Sequence, residues 1–161
     1  MMYKTEELAY NLLDSLNIDF LKVDHPAITS VKNVPFNLPG PQVKNLVLKS
    51  KKGKKIYFVI LHDEKQADLK KLAELLDEKR LSFVSEETLS TLLGVPAGSV
   101  TPLALPQNET NQITVIIDKD IDFNNTVGFH PNINTTTLMI QFHDFEKILS
   151  YLNYEPTYIT L

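Results

Sequence analysis

The side chains able to do chemistry are few. Histidine occurs four times, at His25, His62, His130 and His143, and cysteine not at all. Without cysteine there is no disulfide, no thiolate metal site and no thiol nucleophile. The histidines form no His-x-x-x-His pair, so a zinc centre would have to gather ligands from distant segments, and neither a metal nor a cofactor is expected. The five glycines make no Walker loop or dinucleotide fingerprint, and no Gly-x-Ser-x-Gly elbow is present.

The remaining polar candidates lie at strand ends and in loops, where sites are usually built. Lys44 opens an apolar run directly after a proline-rich loop. It could contact a phosphate or an oxyanion, or lie along a sheet edge with its charge in water. The segment Gly98-Ser99-Val100-Thr101-Pro102 could aim backbone N–H groups at a carbonyl oxygen, or be only a rigid turn. His130, in Gly128-Phe129-His130-Pro131, could orient a substrate or a water, or be a hydrogen-bonded turn residue. His25-Pro26 marks either a site-facing turn or a strand end. His62 and His143, each followed by aspartate, read as surface or capping features.

The elements that must position these residues follow from periodicity. Leu8, Leu12, Leu13 and Leu16 predict a helix capped by Thr5. Phe20 to Val23 predicts a strand running into His25. The stretch from Ala27 to Pro41, broken by Pro35, Pro39, Gly40 and Pro41, predicts a loop with a short helix or a lid. Val43 to Lys49 and Ile56 to His62 flank a lysine-rich turn and read as a hairpin. Asp68 and Ser85 each cap a further helix, the second ended by Gly94. Strands are expected at Leu81–Val84, Ile113–Ile117, Val127–His130 and Thr135–Ile140, then a helix at Phe142–Leu152 and an extended end. This pattern predicts a single α+β domain over residues 1–161, with a mixed, curled, barrel-like sheet and surrounding helices.

Charge is unevenly placed. The 161 residues carry a formal net charge of −4. Between His25 and His62 there is no acidic residue but seven lysines, Lys32, Lys44, Lys49, Lys51, Lys52, Lys54 and Lys55. One face can therefore attract phosphates while the whole stays acidic, although a lysine-rich hairpin also serves simply to keep an edge soluble. No apolar run is long enough to span a bilayer and the polar N-terminus has no secretory h-region, so a cytoplasmic protein without a membrane partner is expected.

Taken together and in order, several segments resemble the YbaK/prolyl-tRNA-synthetase editing-domain family. They are His25-Pro26, Lys44-Asn45-Leu46-Val47-Leu48, Arg80-Leu81-Ser82-Phe83, Gly98-Ser99-Val100-Thr101-Pro102, Val127-Gly128-Phe129-His130-Pro131-Asn132 and Asn134-Thr135. Within the family the chain is most similar to free-standing prolyl-tRNA editing proteins that remove alanine from proline tRNA. The resemblance runs from about Thr5 to Leu152.

It implies hydrolysis of the ester between an amino acid and the terminal adenosine of a mischarged tRNA, without metal or covalent nucleophile. It casts Lys44, Gly98 and His130 as catalytic, and Asn45, Ser99, Val100, Thr101, Pro102, His25 and Gly128 as substrate-binding. Val100, Leu103 and the loop around Pro35 are the expected pocket walls. The partner it implies is the tRNA acceptor end, with prolyl-tRNA synthetase or elongation factor as further candidates. Two departures touch the pocket: Leu103-Ala104-Leu105 follows Pro102 where relatives carry an aromatic residue and a glycine, and Pro96-Ala97 precedes the loop. They bear on which amino acid is accepted more than on the reaction. Alternatives are a deacylase for cysteine or another small amino acid, and a tRNA-binding module without activity.

Overall fold

The computed structural model describes residues 4–25, 43–51, 55–62, 64–95, 100–107, 113–133 and 135–161. The first helix, α1 (Lys4–Ser15), begins one residue before the expected cap Thr5. Ala9, Leu12 and Leu13 form its buried stripe, while Leu8 is exposed. Asn17, in the left-handed region (φ 55°), turns the chain into β1 (Phe20–Asp24).

β2 (Val43–Ser50) and β3 (Ile56–His62) pair antiparallel from Val43↔His62 to Lys49↔Ile56, as the hairpin pattern predicts. Helix α2 (Leu69–Leu75) starts where the Asp68 carboxylate accepts from the Lys71 N–H at 3.1 Å. β4 (Leu81–Phe83) leads to α3 (Glu86–Leu93), where Ser85 Oγ accepts from the Thr88 N–H at 3.1 Å. Gly94 ends α3 at φ 67°, a conformation a Cβ would disfavour.

A 3-10 helix (Pro102–Gln107) occupies the stretch after the expected stiff loop. β5 (Ile113–Asp118), β6 (Thr126–Phe129), β7 (Thr136–Gln141) and α4 (Phe142–Tyr151) follow. The extended end forms β8 (Thr157–Ile159).

The α+β class and the mixed sheet agree with the sequence pattern, but the ladders resolve into two sheets. One is antiparallel, in the order β1-β7-β6; the other is mixed, in the order β4-β2-β3-β5-β8. β3, β5 and β8 run parallel, while β2 is antiparallel to both its neighbours. Among the described residues no ladder joins the two sheets, so closure into a barrel is not seen.

The five-stranded sheet is apolar on both faces. Val43, Val47, Phe58, Ile60, Val115 and Ile117 face the main core, with α1, α3, α4 and the small sheet. Leu48, Tyr57, Val59 and Ile116 face a second cluster under α2. Burying each large apolar side chain contributes about 1.5–3 kcal/mol, so both faces are committed to the fold. An aromatic stack locks α4 beneath the small sheet: Phe129 lies 4.7 Å from Phe145, and Phe142 lies 5.6 Å from Phe145. That stack also fixes the strand end from which His130 projects.

Candidate active site

Two groups of polar residues gather at strand ends. The first is held by the small sheet. β1 pairs with β7 from Phe20↔Ile140 to Asp24↔Thr136, and β6 pairs with β7 from Thr126↔Gln141 to Phe129↔Leu138. His25 and His130, 105 positions apart in the sequence, therefore leave the same end of the sheet. Their ring centroids are 6.1 Å apart at 57°.

Each ring is held by the start of β7. His25 donates its backbone N–H to the Thr135 carbonyl at 2.9 Å, and its Nε2 lies 2.7 Å from Thr137 Oγ1. His130 Nδ1 lies 3.0 Å from the Thr136 carbonyl oxygen. A carbonyl only accepts, so Nδ1 carries the proton and a neutral ring keeps its Nε2 lone pair. Burial pushes the His130 pKa below its usual 6.5, and the neighbouring His25 acts in the same direction, outweighing the Thr136 hydrogen bond. His130 is thus neutral at neutral pH, an acceptor with a set direction. Thr136 in turn donates its hydroxyl to Asp24 at 2.8 Å. Gly128 is buried opposite Met139, and Asn132 sits buried in a left-handed turn (φ 65°) after Pro131.

The Lys-Asn pair on β2 is split by the sheet. Side chains alternate along a strand. The unbroken register puts Asn45 on the main-core face with Val43 and Val47, and Lys44 on the α2 face with Leu46 and Leu48. Asn45 donates its amide to the Val100 carbonyl at 3.4 Å, tying β2 to the segment before the 3-10 helix. Its side-chain oxygen Oδ1 is buried and has no hydrogen-bond partner among the described residues. A buried acceptor left so is costly unless a bound group supplies a donor.

Thr101, fully buried, starts the 3-10 helix: its Oγ1 accepts from the Leu103 N–H at 3.3 Å and its carbonyl from Ala104 at 3.1 Å. Val100 and Pro102 flank it, and Leu103, Ala104 and Leu105 are packed in the main core. Gly98, Ser99 and the loop around Pro35 lie outside the described residues.

Lys44 meets the second group. Its ammonium donates to the backbone carbonyl of Lys65, and among the described residues it pairs with no carboxylate. The Lys65 ammonium is 2.9 Å from Asp118 Oδ1, 2.6 Å from Asp120 Oδ2 and 2.7 Å from the main-chain oxygen of Leu161. Asp118, at the end of β5, is fully buried and also accepts from the backbone N–H groups of His62 and Asp120, both at 3.1 Å. Burial pushes its carboxyl pKa up, but these hydrogen bonds and the Lys65 charge outweigh it and hold it below the usual carboxylate value.

Beside this group a cleft of about 290 Å³ is lined by Leu61, Lys65, Lys71, Leu72, Leu75 and Leu161, among others. Sequence reasoning did not single out Lys65 or Asp118. The one available signal was an aspartate ending a strand that is apolar but for Thr114. Of the remaining histidines, His62 accepts through Nδ1 from the Glu64 N–H at 3.1 Å, as a turn cap, and the exposed His143 lies 3.6 Å from Asp144.

Comparison with known proteins gives this geometry its class. Residues 25–148 match the model of the aminoacyl-tRNA editing domain. That match covers well over half of the chain, which belongs to this family and is by class an aminoacyl-tRNA deacylase. Prolyl-tRNA editing protein ProX of Acetoanaerobium sticklandii is 31% identical over 85% of this chain and 85% of its own. Prolyl-tRNA synthetase associated domain-containing protein 1 of Xenopus laevis is 32% identical over 97% of this chain and 95% of its own. A crystal structure described as that of a candidate trans-editing enzyme for prolyl tRNA synthetase superimposes with a TM-score of 0.70, at 17% identity, over 100% of this chain and 99% of the other. At that identity it shows the shared fold. No helix among the described residues is long and apolar enough to cross a membrane.

Proposed function

We propose that the chain is a single editing domain acting in trans in the cytoplasm, hydrolysing the ester of mischarged proline tRNA, with Ala-tRNA(Pro) as its main substrate. The observation that carries this reading is the hydrogen bond from Asn45 to the Val100 carbonyl. It joins the Lys-Asn strand to the 98–102 segment, two motifs 55 positions apart that the chemistry needs side by side.

An aminoacyl ester is already activated, so the protein has to position it and a water rather than supply a nucleophile. In this reading the 98–102 segment supplies the contact to the carbonyl oxygen as it becomes an oxyanion. The Oδ1 of Asn45 takes a donor from the bound end, either the α-ammonium or a ribose hydroxyl. Neutral His130, steadied beside His25, offers Nε2 to the attacking water or to the ammonium. Lys44, on the opposite face of β2 and with no carboxylate partner among the described residues, meets a phosphate of the acceptor end at the start of the strand. The ribose 2′-OH next to the ester assists the water. A substrate ending in 2′-deoxyadenosine should then react much more slowly, and an unchanged rate would remove that step.

Alanine is smaller than proline, so a close pocket with Val100 in its wall would admit one and exclude the other. The buried Leu103-Ala104-Leu105 segment, which departs from related sequences, favours a second reading in which cysteine or another small residue is the preferred substrate. The tRNA backbone would be met by cations at the far end of β2. There Ser50 pairs with Leu81, so Lys49 and Lys51 stand near Lys79 and Arg80, none of them with a carboxylate partner among the described residues. Prolyl-tRNA synthetase or elongation factor would be the protein that hands over the tRNA.

The test is deacylation of Ala-, Pro- and Cys-tRNA(Pro) by the wild type and by Lys44→Ala. Loss of the alanine ester alone, abolished by the substitution, is the expected result. Preference for the cysteine ester would support the second reading. Binding of tRNA with no hydrolysis of any of the three would sink both and leave a binding module.

A further inference from the structure

We propose that Lys65 and Asp118 are positioning residues that hold the Lys44 ammonium in place and keep its charge available; this rests on the reading of Lys44 given above. Asp118 makes no contact that ester hydrolysis requires. It is fully buried at the end of β5, and its oxygens are taken by the His62 N–H, the Asp120 N–H and the Lys65 ammonium. Lys65 is anchored in turn by Asp118, Asp120 and the main-chain oxygen of Leu161, and its own backbone N–H bonds to the His62 carbonyl at 3.0 Å. A backbone carbonyl pinned this firmly is a fixed acceptor, and it is the one that the Lys44 ammonium uses.

The choice of acceptor matters. A carboxylate would orient Lys44 but cancel its charge, whereas a carbonyl orients it and leaves the charge for an incoming anion. Two carboxylates, Asp118 and Asp120, stand against Lys65, the residue whose carbonyl Lys44 uses, and the Lys65 ammonium occupies both. Lys65 therefore has two effects on Lys44: its carbonyl fixes the ammonium, and its own ammonium keeps the nearby carboxylates from capturing it.

The experiment uses the full chain with Lys65→Met, Lys65→Arg, Asp118→Asn, Lys44→Ala and the Lys44→Ala/Lys65→Met pair. It reads the saturating single-turnover rate, KM, the thermal melt and the NMR signal of the Lys44 ammonium. Lys65→Met should lower the rate roughly 10- to 100-fold with KM little changed, as slight misplacement of a bound substrate does. Lys65→Arg should restore most of the rate. The double variant should lose no more than Lys44→Ala alone, because one residue acts through the other. The Lys44 ammonium should exchange slowly in the wild type and fast in Lys65→Met.

A folded Lys65→Met with the wild-type rate, or losses that multiply in the double variant, would overturn the proposal. Should Lys65→Met fail to fold, the near-isosteric Asp118→Asn takes the same readings, with the same outcomes for and against. If Lys44→Ala itself keeps full activity, the catalytic reading of Lys44 falls. The ammonium signal still decides the positioning, since an unchanged signal in Lys65→Met overturns it on its own.

Discussion

The two polar groups at the strand ends solve opposite problems. Around His25 and His130 the small sheet gathers neutral donors and acceptors, threonine hydroxyls and backbone carbonyls, and burial keeps the imidazole of His130 uncharged. Around Lys65 and Asp118 the large sheet buries a full charge and must surround it with three donors. A neutral group can be aimed with one hydrogen bond and left open to a substrate. A buried carboxylate is safe only when every lone pair is occupied, which makes it a structural anchor and unfit as a proton carrier.

That contrast can be broken most sharply at Lys44. Lys44→Ala should lower deacylation of Ala-tRNA(Pro) roughly 100-fold, the scale of misplacing a bound ester by losing a remote contact, while the melt stays within a few degrees. Equal losses of rate and stability would make Lys44 a structural residue like Asp118. Asp118→Ala should do the reverse. It strips the partner from a partly buried ammonium and costs about 3 kcal/mol, or a melting temperature lower by roughly 6–12 °C. Thermal melts of the purified protein measure it, and an unchanged melt would show that the ion pair is not an anchor.

The two ends should also separate by pH. For His130 the unfolded chain takes up a proton as pH falls below about 6.5, while the folded protein resists until its lower value is reached. Stability should therefore fall between pH 7 and the acid side of 6.5 and then level off, and His130→Asn should remove that step. For Asp118 the lowered folded value means that its contribution is complete above the unfolded carboxylate range, near 3.8, and is lost as pH falls through the folded value. Melts from pH 7.5 to 3 should show the histidine step first and the aspartate step last. The smallest effects belong to the basic end of β2. Lys51→Ala, Lys79→Ala and Arg80→Ala should each weaken tRNA binding modestly and reduce its salt dependence by about one counterion. Filter binding across a salt series measures the slope, and a slope unchanged in all three would place the backbone contact elsewhere.

The local elements were legible because their signals are local. Asp68 and Ser85 cap the helices they precede, Gly94 ends α3 in the left-handed conformation, and the apolar runs on either side of the lysine-rich turn form the β2–β3 hairpin. Periodicity erred where one leucine could be traded for its neighbour. Leu8 is exposed and Ala9 takes its place in the core. The division into two sheets could not be read, because it depends on pairings between distant strands, β1 with β7 and β3 with β5, that leave no mark in either strand alone.

β8 was visible only as an extended end, since three residues carry no periodicity. The same distance in sequence hid Lys65 and Asp118, 53 positions apart. Lys44, Asn45, Val100 and His130 drew attention by type and order, but only the fold reveals that Asn45 reaches Val100 while Lys44 turns to the other side of the sheet.

That last feature makes β2 behave as a partition wall read from both rooms by adjacent letters. Because the side-chain period of a strand is two, moving the chain by one residue trades the rooms: the amide would enter the α2 side and the ammonium the buried core. A single deletion between Asn45 and Ser50 would exchange the two functions and set a charge where only an amide fits. Transposing the pair, Lys44→Asn with Asn45→Lys, leaves composition and net charge untouched. The order of these two neighbours therefore decides which side of the sheet each side chain serves.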